Sequence, residues 1–149
     1  MQVLIFPTAG KLPYLNYVKT VEYAVDKIKF VDLLDPLEQE LFLSSQRSHF
    51  GIWGVTDGNN NKNLDLWKQS EIGDTCLFYR NRKFYSKGKI FAKIENQNLS
   101  LQLWNKGQKG EIWKNIYFIE FLENIDIPIS KLAQSVYAPG QSVIRTFQI

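Results

Sequence analysis

The residues best able to do chemistry lie between Phe50 and Lys93. A tryptophan, Trp53, sits between Gly51 and Gly54, and small neighbours let a flat ligand approach both the indole and the backbone. Downstream come Arg80, Arg82, Lys83, Lys87, Lys89 and Lys93, six of the eighteen basic residues, with no acidic residue among them. Aromatics beside a basic strip suit a surface that neutralises phosphates and stacks on bases. A second tryptophan, Trp104, adjoins a polar, glycine-containing loop over 105–110. Trp53 and Trp104 are thus the two candidate walls of a base-holding cage. Each has the alternative reading of a core residue, because tryptophan is mostly buried on average. Trp67 and Trp113 fall in helical and strand patterns and read as core. The basic run has its own plain alternative, an edge strand carrying Lys and Arg against aggregation.

Other chemistries lack their parts. His49 is the only histidine and Cys76 the only cysteine, so a multi-histidine metal site, a cysteine cluster and an intrachain disulfide are excluded. A Ser-His-Asp or Cys-His set would have to use His49, which reads more simply as a strand residue. Neither phosphate-binding glycine loop is present, and the carboxylates are scattered. The chain reads as a binder without catalytic residues and without a cofactor.

These residues need a frame to hold them. A length of 149 residues, 44% hydrophobic and 14% aromatic, suits one domain over 1–149 with a real core. The net charge of +3 is too small to decide anything; its distribution matters more. No signal peptide or long apolar stretch is visible, so a cytoplasmic chain without membrane contact is expected.

The spacing predicts a first strand at Val3–Phe6 and a helix from Tyr14 to Ile28. Asp35-Pro36-Leu37-Glu38 carries the pattern of a capped helix start, with the helix running to about Ser44. A strand over Ser48–Val55 follows, then a short helix capped by Asn63. Strands are expected at Thr75–Tyr79, Phe84–Tyr85, Lys89–Ile94, Glu111–Leu122 and Val143–Gln148, with short helices ending at Trp104 and running from Ser130 to Ser135. Strands outnumber helices and few βαβ units appear. That favours α+β with a curved β-sheet or small barrel flanked by helices.

The segment Gly51-Ile52-Trp53-Gly54-Val55, a short helix, an apolar strand, and then Lys87-Gly88-Lys89-Ile90-Phe91-Ala92 resembles the YTH and EVE domains of the PUA-like superfamily. The Leu103-Trp104-Asn105 loop and the Trp113–Phe118 strand, with Ile127-Pro128 after it, fall in the same order as their counterparts. The resemblance spans about Val3 to Pro128. It implies a PUA-like fold and an aromatic cage for a modified base: N6-methyladenine, with 5-methylcytosine as the alternative. Trp53 matches the first cage tryptophan and Trp104 the second by its loop position.

Gly54 replaces the family's Ser or Ala, and no residue among Thr8, Ala9 and Gly10 supplies its asparagine. Thr8, Asn16 and Gly54 are therefore the candidate base-edge contacts, and Arg80, Arg82, Lys83, Lys87 and Lys89 the candidate phosphate contacts. Such modules occur at the N-terminus of modification-dependent restriction proteins, including McrB-like GTPases, which implies AAA+ GTPase and nuclease partners. Beginning at Met1 and stopping after one domain, the chain suits such a module. The rival expectations are a YTH- or ASCH-like RNA binder using the same cage on single strands, a PUA-like hydrolase acting on modified nucleosides, and a protein-interaction module.

Overall fold

The computed structural model describes residues 2–131 and 143–149. Its centre is a seven-stranded mixed sheet in the order β2-β3-β6-β5-β4-β1-β7. The strands are β1 (Gln2–Pro7), β2 (Val25–Asp26), β3 (His49–Val55), β4 (Thr75–Arg80), β5 (Lys83–Glu95), β6 (Asn115–Pro128) and β7 (Val143–Thr146). The helices are α1 (Lys11–Tyr17), α2 (Pro36–Leu43), α3 (Lys62–Gln69) and α4 (Gln97–Trp104). The fold class is α+β, as the strand-rich pattern predicts. No helix among the described residues is long and apolar enough to cross a membrane.

Alternation along the strands builds a core on each face. Leu4, Phe6, Trp53, Cys76, Phe78, Tyr117 and Ile119 point to one side, where Tyr17, Val21 and Phe147 cover them. Phe50, Ile52, Ile94, Ile116 and Phe118 point to the other, under Phe30, Phe42, Leu99 and Trp104. The sheet curls enough that β3 and β1, which share no hydrogen bonds, bring Trp53 and Phe6 to 6.2 Å between ring centroids. This unbonded seam between β3 and the β1–β7 edge is where the barrel stays open.

Local chemistry sets the ends of the elements. Asp35 accepts from the Glu38 amide at 2.8 Å, and Glu38 accepts from the Asp35 amide at 3.1 Å, so the predicted capping box forms. Asn96 caps α4 by accepting from the Leu99 amide.

Elsewhere the elements depart from the sequence pattern. The first helix does not reach Ile28. After α1 one wider turn, Val18–Glu22, ends at Tyr23, and Ile28 lies exposed in a short 3-10 turn, Lys27–Lys29. Asn63 does not cap α3, because Asn61 stands before its first residue. β6 starts at Asn115 rather than 111 and runs on to Pro128, while 111–114 stays outside the sheet. Of the helix expected from Ser130 to Ser135, a 3-10 turn covers Ile129–Lys131, and residues 132–135 lie outside the described residues.

Candidate nucleic-acid interface

Trp53 stands on β3 with its side chain toward the barrel interior and is 6% exposed. Its ring meets Phe78 edge-on, with centroids 5.4 Å apart and planes at 89°. Toward the open seam it lines a small cavity with Phe6, Pro13, Asn16, Trp113, Phe147 and Gln148, among others. The volume is about 30 Å³, room for a water molecule or two but not for a base.

Two polar groups on this cavity are unspent. Asn16, carried by α1, is 4% exposed, yet its side-chain amide has no hydrogen-bond partner among the described residues. The Trp53 indole N–H likewise has no acceptor among them. Asn16, whose amide makes no hydrogen bond to the other described residues, gives the cavity wall a polar group able to meet a ligand's own donors and acceptors.

Trp104 does not face Trp53. The two tryptophans belong to opposite sides of the sheet, because Trp53 points inward while the neighbouring Gly54 points outward. A Cβ at Gly54 would lie 2.6 Å from the Trp104 ring and would strike the Trp113 carbonyl oxygen. Trp104 is 3% exposed, and its Nε1 donates to Thr20 Oγ1 at 3.2 Å. Gly54 is therefore what lets Trp104 and Trp113 pack against the strand, and its backbone borders the cavity. The tryptophan that joins Trp53 at the cavity, beside Phe6 and Phe147, is Trp113. The sequence pattern puts it in a strand core, but the chain before β6 lies outside the sheet and is half-buried there.

Thr8 does not line the cavity. It is fully buried, with its hydroxyl 2.5 Å from the Tyr85 hydroxyl and donating to the Tyr79 carbonyl.

The basic strip divides in two. On the body of β5 the lysines meet acids of β6, which are distant in sequence. Lys87 pairs with Glu123 at 3.5 Å, Lys83 with Asp126 at 3.4 Å, and Lys89 stands opposite Glu120 in the strand register. Such exposed pairs add little stability, but they cancel much of the positive field expected from Lys83, Lys87 and Lys89. Lys93 is fully engaged: its Nζ donates to the Trp67 and Ser70 carbonyls, both at 2.6 Å, closing the C-terminus of α3. Partial burial there lowers its pKa.

At the β4–β5 hairpin the picture differs. Asn81 and Arg82 form its turn with φ of 53° and 62°, the left-handed pair that suits a two-residue hairpin. Arg82 is exposed, and the Arg80 guanidinium carbon sits over the Tyr14 ring, 3.8 Å from its centroid.

His49 is exposed at the start of β3, where its Nδ1 lies 2.7 Å from the Ser48 hydroxyl. No group of three or more His, Cys, Asp or Glu residues among those described is placed to hold a metal.

No protein-family model matches the sequence, and no curated protein does so either. Among solved structures, the chain is similar to the N-terminal domain of Thermococcus gammatolerans McrB bound to m5C DNA. The TM-score is 0.61 over 89% of this chain and 81% of that chain, at 17% sequence identity. At that identity the likeness establishes a shared fold, the curved α+β sheet described above.

Proposed function

We propose that the chain is a non-catalytic DNA-reading module that takes a methylated base, flipped out of a duplex, into the cavity at the barrel seam. The observation that carries this reading is the Trp53–Asn16 cavity, where an aromatic wall adjoins a side-chain amide that has no hydrogen-bond partner among the described residues. Stacking on an aromatic contributes roughly 1–3 kcal/mol per base, against a flipping cost of a few kcal/mol. Unspent hydrogen-bonding groups on the wall supply the remainder and read the base edge.

The base is 5-methylcytosine first and N6-methyladenine second. The order reverses that of the sequence resemblance, because the solved neighbour carries m5C DNA. The walls are Trp53 and Trp113, with Asn16 on the base edge. Trp104 supports the strand from behind.

Entry requires the cavity to widen. One wall is the segment Phe147–Ile149, clasped to α3 by Asn63: its Oδ1 accepts from the Gln148 amide at 2.8 Å and its Nδ2 donates to the Gln148 carbonyl at 3.1 Å. Release of this clasp is the simplest opening. Partner domains, an AAA+ GTPase and a nuclease, would couple such reading to cleavage of modified DNA.

The test is binding to matched duplexes carrying cytosine, 5-methylcytosine, adenine or N6-methyladenine, with single-stranded RNA as competitor. A preference for a methylated duplex supports the reading. Preference for methylated single-stranded RNA transfers the same cavity to RNA, and equal binding to all removes base reading.

A further inference from the structure

We propose that the groove beneath the β4–β5 hairpin is a phosphate-binding subsite, with Arg80 as the residue that grips the nucleic-acid backbone beside the Trp53 cavity. The inference rests on the reading of the chain as a DNA-binding module and adds to it where, and through which residue, the backbone is held.

The groove has a volume of about 340 Å³ and is lined by Tyr14, Arg80, Asn81, Lys83 and Tyr85. No carboxylate lines it; its Lys83 pairs with Asp126 outside the lining at 3.4 Å, which leaves Arg80 as the groove's unpaired charge among the described residues. Arg80 has no ion-pair partner among the described residues, and its Nη1 is buried without a hydrogen-bond acceptor. A charged donor left without an acceptor is a costly arrangement. An anion arriving in the groove would meet a guanidinium whose charge is otherwise unpaired among the described residues.

The planar guanidinium is held in orientation by the Tyr14 ring at 3.8 Å. A pre-oriented fork of donors fits two phosphate oxygens better than a lysine does. The groove suits a phosphate better than a base. Tyr14 already carries Arg80 and stacks with Tyr17 at 6.1 Å, while the Tyr85 hydroxyl is held by Thr8. The aromatic surfaces are thus engaged, and the free chemistry is that of donors.

Position completes the argument. Tyr14 lines the groove, and Pro13 and Asn16 line the cavity, all on the single helix α1. Groove and cavity therefore lie on two sides of one helix, about 10–12 Å across with its side chains, a span on the scale of neighbouring nucleotides. A base turned into the cavity would leave a flanking phosphate over Arg80.

The experiment is a salt titration of duplex binding by the wild-type chain, Arg80→Gln, Arg80→Lys and Lys87→Gln, each confirmed folded by its thermal transition. Arg80→Gln keeps most of the side chain's length while removing its charge. The expected result is a slope of log K against log salt reduced by about one for Arg80→Gln. Its affinity falls by the same factor on methylated and unmethylated duplexes. Arg80→Lys should keep the slope and lose affinity, because the charge remains and the fork does not. Lys87→Gln should leave the slope unchanged.

An unchanged slope for Arg80→Gln overturns the proposal, as does an equal loss from Lys87→Gln. A slope change seen only with single-stranded RNA also overturns it. A wild-type chain that binds no nucleic acid at all would instead sink the functional reading on which this one stands.

Discussion

Trp104 is tied to Thr20 across the edge of the sheet: its indole N–H donates to Thr20 Oγ1 at 3.2 Å, and that hydroxyl in turn donates to the Ile52 carbonyl at 2.5 Å. The relay fixes the turn after α1 against β3, and Asn16 lies one helical turn before Thr20 on the same run of chain. The position of Asn16 at the cavity thus depends on a buried hydrogen-bond chain that ends at the residue beside Trp53.

Thr20→Val keeps the shape of the side chain and leaves the indole N–H without an acceptor and the Ile52 carbonyl without this donor. Stability should fall by about 1–3 kcal/mol, the cost of unpaired buried groups, read as a lower urea midpoint with an unchanged m-value. No loss of stability would mean that the relay is not holding the turn.

Trp53 is both a cavity wall and a core residue, so Trp53→Ala should cost about 3–5 kcal/mol and confound any binding test. Trp53→Phe keeps much of the packing against Phe6 and Phe78 and removes the indole N–H. It should remain folded, with a lower ratio of methylated to unmethylated binding. Denaturant unfolding together with duplex titration checks both parts.

Gly54→Ala puts a methyl group onto the Trp113 carbonyl and the Trp104 ring. Overpacking of this kind typically costs about 1–3 kcal/mol, and here one of the obstacles is rigid backbone. Thermal unfolding should show a lower midpoint. A neutral result would mean that the segment 111–114 moves aside without cost.

Stability should fall above about pH 9. Burial raises the Cys76 thiol from 9.0 to about 12 and raises the hydroxyls of Tyr17, Tyr85 and Tyr117 above their ordinary value of 10.0. A pKa raised in the folded state means that the unfolded chain loses its proton first. The contribution is therefore complete below the unfolded pKa and is lost as pH rises toward the folded one. Lys93, with its folded pKa lowered, has the opposite sign, and one group does not offset four. Urea midpoints at pH 7, 9 and 10.5 check the direction.

Where neighbours in sequence are neighbours in space, the residues alone are enough to read. The capping box of Asp35 and Glu38 and the α+β class both follow from short-range patterns. What depends on distant pairing does not. The charge on β5 reads as free until Glu120, Glu123 and Asp126 are placed opposite it by the β5–β6 register. Trp104 reads as a cage wall because nothing in a loop sequence says which side of the sheet it covers. Trp113 reads as core because the apolar pattern starts the strand at Glu111, before it, whereas β6 begins at Asn115.

Asn63 shows the same limit. A helix cap is the local reading of an asparagine before an apolar run, whereas its actual partner is Gln148, at the far end of the chain. The alternation of glycines around Trp53 carries a signal that was available: of Gly51 and Gly54, the one adjoining Trp53 on the C-terminal side must face away from it.

The most direct measurement is the ratio of affinities for a methylated over an unmethylated duplex, in the wild-type chain and in Asn16→Ala. The Asn16 side chain has no partner among the described residues, so its truncation should leave the thermal midpoint nearly unchanged. The account predicts a clear preference for the methylated duplex in the wild type and its loss, toward a ratio of one, in Asn16→Ala, with the salt dependence intact. A folded Asn16→Ala chain that keeps the full preference would contradict it, because the base would then be read somewhere other than the cavity at the seam.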